Sequence, residues 1–142
     1  MKEDINALDE IHKGCCMGKD AIDYVLDKVE DDLFRKEIEK EYKDYDRIAN
    51  RIDEIYPNYN DGKPHDTSTM TKAMTWAGVE MKTMMDKSNS KIAELLLNGT
   101  NMGIIEGRKI LNNKELNSEV SKIVSDYVSM QEKSVEALKK YL

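Results

Sequence analysis

The stretch ELNSEVSKIVSDYVSMQEKSVEALKKY, residues 115–141, decides the fold. Within it Leu116, Val120, Ile123, Tyr127, Met130, Ser134, Ala137 and Tyr141 recur at alternating intervals of three and four. That spacing lays them along one stripe of an α-helix and turns the charged residues to the opposite face. A strand would need alternation by two, and no stretch of useful length shows it. The segment predicts a long amphipathic helix from about Glu115 to Tyr141, whose seam other helices must cover.

Upstream, Asn112-Asn113 closes a helix that begins near Lys91, with Ser88 or Ser90 as its cap. Ile92, Leu95, Leu96, Met102 and Ile110 mark that helix, and Gly99, Gly103 and Gly107 recur along it every four residues. Each glycine costs a helix about 1 kcal/mol relative to alanine, so their recurrence predicts close packing that offsets the loss. Further back, Lys87-Ser88-Asn89-Ser90 separates it from a methionine-rich helix over about 68–86, capped by Asp66 or Thr67. Pro57 to Asp66 holds both prolines and reads as the one clear loop.

Two more long helices precede the loop. Leu8, Ile11, Cys15, Gly18, Ile22, Val25 and Val29 form a seam on the first, from about Asp4 to Val29. Gly18 allows a close approach, and the acidic corner Glu30-Asp31-Asp32 turns the chain. Phe34, Ile38, Tyr45, Ile48, Ile52 and Ile55 continue the pattern on the second, which Tyr56-Pro57 ends; the seam position between Ile38 and Tyr45 is Glu41. The fold class is therefore all-α: four long helices, with a short one in the connection between the second and third. One long crossover in a four-helix bundle produces this organisation.

A length of 142 residues fits a single domain, residues 1–142. A net charge of -6, with no concentrated basic face, argues against nucleic acid as a partner. No run approaches the roughly 20 apolar residues of a membrane span. Glu3 and Asp4 follow Met1 where a signal peptide would be basic and then apolar, which predicts a cytoplasmic protein with no membrane partner. Cys15 and Cys16 read as reduced thiols, one in the core and the other at its margin.

In the run from Ala73-Met74-Thr75-Trp76 to Ile110-Leu111, a short helix, a polar break and a glycine-containing long helix follow one another. In this the chain resembles the ferritin-like superfamily, specifically its small bacterial bundles of unknown function. The resemblance extends loosely to the first two helices. Members that bind two irons place one Glu on each of two helices and a Glu-x-x-His pair on each of the others. The nearest match here is Glu41-x-x-Asp44, with Asp44 where the histidine would be, and Glu106 stands as a lone carboxylate. The last helix has no such pair, since Val135 follows Glu132 and Lys122 follows Glu119 at that spacing. The resemblance thus implies a degenerate di-iron motif: Glu41, Asp44 and Glu106 are the candidate metal ligands, with iron the alternative to no cofactor at all.

Each candidate also has a plainer reading. Glu41 on a seam is satisfied by a hydroxyl from Tyr42, Tyr45 or Tyr127, or by a lysine. A corner near Glu30 sets it level with Gly18 and Lys19 of the first helix. His12 reads as a boundary residue and His65 as a solvated loop residue. Met70, Met74, Trp76, Met81, Met84 and Met85 supply adaptable thioethers and one indole; soft sulfur can ligate Cu(I), but an interface is the commoner use. Met70, Met74, Trp76, Met81 and Met84 are accordingly the candidate interface. No phosphate loop, Ser-His-Asp arrangement or zinc spacing is present in the sequence. The expected function is a non-catalytic interaction or structural module, a homodimer or bound to a protein partner; the alternative is iron storage or oxidation.

Overall fold

The computed structural model describes residues 2–64 and 85–142. Four long helices make up the described architecture: α1 (Lys2–Leu26), α2 (Asp32–Ile55), α3 (Asn89–Asn113) and α4 (Ser118–Lys139). A 3-10 turn, Tyr56–Asn58, follows α2 where Pro57 cannot continue the ladder. Among the described residues there is no strand.

Side-chain caps set the helix starts. Asp31 accepts from the Phe34 amide, Ser88 from Lys91 and Asn117 from Val120, each satisfying an amide that the first turn leaves open. Ser88 is thus the cap of α3. The last helix begins later than Glu115 because the preceding residues are drawn onto α1. There the amide of Glu115 donates to Glu3 at 2.7 Å and that of Asn117 to Asp4 at 2.9 Å. The methionine-rich helix expected over 68–86 falls mostly outside the described residues. Its predicted end is not helical: Met85 and Asp86 are irregular, and the Asp86 carboxylate accepts from the Ser88 amide to set up the next helix instead.

Both ends of the bundle can be read from contacts. At one end the α1–α2 corner, Asp27 to Asp31, shares a surface hollow with Lys87, Ser88 and Asn89 at the start of α3. At the other, the α3–α4 turn bonds the start of α1, and Tyr59, just past α2, donates to Glu119 at 2.8 Å. Helices α1 and α4 therefore run one way and α2 and α3 the other, so residues 59–88 connect opposite ends. Two hairpins, α1–α2 and α3–α4, form the principal pairings.

The seams meet in one core that includes Leu8, Ile11, Cys15, Ile22, Phe34, Ile38, Ile48, Ile52, Leu95, Val120, Ile123 and Leu138. Met102 departs from expectation: it is 48 % exposed, because the inner face of α3 runs through Gly99, Gly103 and Gly107 instead. Register departs too. Gly18 abuts the Tyr45 ring and Lys19 reaches Asp46 at 3.1 Å, more than a turn beyond the Glu41 level that a corner at Glu30 predicts. Residues 27–31 carry the chain onward before Asp31 caps α2, which moves the pivot later.

Candidate functional site

Between α1 and α3 lies a cleft of about 360 Å³. Gly14 and Gly18 line it from α1, Gly99 and Gly103 from α3, and Met17 and Met102 lie along its edges. Its floor comes from the far side of the bundle: Tyr45 of α2 and Tyr127 and Gln131 of α4. The glycines admit that floor. A Cβ at Gly14 would fall 2.6 Å from the Tyr127 hydroxyl, one at Gly103 2.8 Å from the same oxygen, and one at Gly18 2.5 Å from the Tyr45 ring.

The floor is a directed chain of hydrogen bonds. Tyr45 donates its hydroxyl to Gln131 Oε1 at 2.9 Å, which leaves the Gln131 amide to donate toward the Tyr127 oxygen. The Tyr127 proton remains to be given to something else. Burial pushes both phenols well above their ordinary range, so each is a neutral donor at any physiological pH. Around the rim stand Glu10, Lys13 and Glu106, and beyond Glu106 the exposed Ile105. Past the two glutamates the groove continues between Ala7 and Ile110 toward Glu3 and Asn113. An apolar cavity with a few convergent polar groups has the make-up of a small-molecule site.

The candidate ligands Glu41, Asp44 and Glu106 are not brought together. Glu41 is 3 % exposed and points at α4, where the Ser134 hydroxyl bonds its carboxyl. None of the three tyrosines expected to satisfy it hydrogen-bonds it; Tyr45 is turned one helical step away, toward Gln131. Burial first, and then repulsion from Glu37, pushes the Glu41 carboxyl up to about 8, with Lys40 opposing. Its Oε2 is buried without a hydrogen-bond partner. Asp44 faces outward into the α2–α4 groove, held by Lys40 at 2.9 Å and Arg47 at 3.0 Å. Glu106 is exposed on the α1–α3 cleft, near the level of Tyr127, whereas Glu41 is level with Ser134; at 1.5 Å per residue these lie about 10 Å apart along the axis. Among the described residues no group of three or more His, Cys, Asp or Glu side chains is arranged so that it could hold a metal ion. As placed, Glu41, Asp44 and Glu106 do not form by themselves the carboxylate cluster of a di-iron centre.

The methionine and tryptophan interface residues and His65 lie outside the described residues. His12 is buried, and one grouping around it escaped the sequence. Its Nε2 lies 3.0 Å from Asp53 Oδ1 on α2 and its Nδ1 3.8 Å from Cys16 Sγ. The His12–Cys16 half was available as a four-residue spacing on one helix. The Asp53 half depends on the inter-helix register, which no local pattern encodes.

Among the described residues, no helix is long and apolar enough to cross a membrane. No protein-family model, curated protein or solved structure matches this chain.

Proposed function

We propose that the chain is a non-catalytic helical bundle that works as an interaction module, with the α1–α3 cleft as its binding site. The observation that carries this reading is the cleft's floor: a buried hydrogen-bond chain that ends in a hydroxyl donor, reached between glycines on two facing helices. A guest of matching chemistry has an apolar body and one hydrogen-bond acceptor, such as a carbonyl oxygen. The topology, with one connection between opposite bundle ends, supports the narrower reading of a ferritin-like bundle.

A panel of carbonyl-bearing fragments, followed by heteronuclear NMR, tests the site. Binders are expected to shift the amide signals of Gly14, Gly18, Gly99 and Gly103. Tyr127→Phe should weaken them by about 1 kcal/mol, the net worth of one hydrogen bond. Shifts confined to other surfaces, or none, would remove the cleft from consideration.

Iron storage or oxidation remains the second reading, favoured by one observation: the Glu41 oxygen that is buried with no partner. Anaerobic Fe(II) titration followed by elemental analysis decides it. About two irons per chain, lost in Glu41→Ala, would establish that reading in place of the first.

A further inference from the structure

Cys16, His12 and Asp53 stand in the order thiol, imidazole, carboxylate. The carboxylate beside Nε2 holds the ring proton there, which leaves the Nδ1 lone pair facing the sulfur. An imidazole so oriented is a base for the thiol, the arrangement by which a cysteine is activated as a nucleophile. Its neighbour offers an internal contrast. Cys15 is fully buried in the core, and desolvation raises its thiol far above the ordinary range. Cys16 keeps 9 % exposure at the margin of α1, and neither residue is in a disulfide.

We infer that Cys16 is a reactive thiol, activated by His12 and positioned by Asp53, that exchanges with small disulfides to carry a reversible mixed disulfide. In the exchange His12 Nδ1 accepts the thiol proton and Cys16 Sγ attacks one sulfur of the disulfide. A new S–S bond forms as the old one breaks. The departing thiolate then takes the proton from His12, so one thiol and one disulfide are consumed and one of each is produced. No further oxidant enters. Lys19 on α1 interacts electrostatically with the sulfur and is paired with Asp46 of α2 at 3.1 Å, and Asp53 is paired with the imidazole. The inference is independent of the cleft, which lies between α1 and α3.

The test uses the reduced full chain and oxidised glutathione, with adducts located by peptide mass mapping and rates followed against pH. One glutathionyl group on Cys16 and none on Cys15 is expected, with a rate whose midpoint lies below the ordinary thiol value of about 8.5. His12→Gln should slow the reaction at neutral pH by roughly tenfold or more and return the midpoint to that ordinary value. Asp53→Asn, at a half-exposed position, should slow it less. Modification of Cys15 instead, no reaction unless the chain is denatured, or a wild-type pH profile already that of an ordinary thiol would overturn the inference. So would equal rates in wild type and Asp53→Asn, even if His12→Gln fails to fold.

Discussion

Glu41 binds its proton more tightly in the folded bundle than in the unfolded chain, because burial disfavours the carboxylate. From about pH 4.5, where the unfolded group ionises, to about pH 8, the folded state holds the extra proton, so stability falls as pH rises. Below that window the group contributes no pH dependence, and above it the loss is complete, with a ceiling of about 5 kcal/mol at 1.36 kcal/mol per unit. Glu41→Gln removes the ionisation. It should raise the melting temperature at pH 8 by roughly 5 °C or more and leave it nearly unchanged at pH 4. Equal effects at both values in thermal melts would show that the carboxyl ionises freely. That Glu41 occupies a seam position is legible in the sequence; that Ser134 is its partner is not. The partner depends on the register between α2 and α4, which sets Glu41 level with Ser134, two turns along α4 from Tyr127.

The four helices follow from spacing and caps because both are local. Apolar residues at three and four define each inner face, and Ser88 and Asp31 close backbone amides within their own first turns. The glycines of α3 were legible as a pattern that calls for close packing, but not the side chains of α4 that Gly103 and Gly107 admit. At Gly107 an added Cβ would collide with Val128 Cγ2. Valine on a helix has one strongly preferred rotamer and cannot swing aside, so α3 and α4 would have to part. Gly107→Ala should therefore destabilise the bundle by about 1 kcal/mol in urea unfolding. Overpacking costs about 1–3 kcal/mol and outweighs the roughly 1 kcal/mol of helix propensity that alanine restores. A gain in stability would mean that the two helices are not held as closely as the structure has them.

For the molecule as a whole, the homodimer expected from the sequence would use Met70, Met74, Trp76, Met81 and Met84 and is tested by mass in solution. Light scattering should give twice the chain mass, and Trp76→Glu or Met81→Glu should halve it; a wild-type protein that is monomeric at every concentration sinks the idea. The all-α class and the four long helices of the described residues emerged from the sequence because periodicity reports them directly; the short helix expected between the second and third lies mostly outside those residues. The cleft did not, since it requires side chains from all four helices at one level, among them Gln131, which stands off the predicted seam. Direction of travel has a further consequence. Because α1 and α4 run in parallel, Lys2 lies beside the α3–α4 turn while Tyr141 stacks on Phe34, their ring centroids 4.4 Å apart, at the opposite end. Fluorophores attached near residues 2 and 142 would sit about 35 Å apart along a 25-residue helix. The bundle is thus its own ruler, and energy transfer between two such dyes would report any parting of the hairpins in real time.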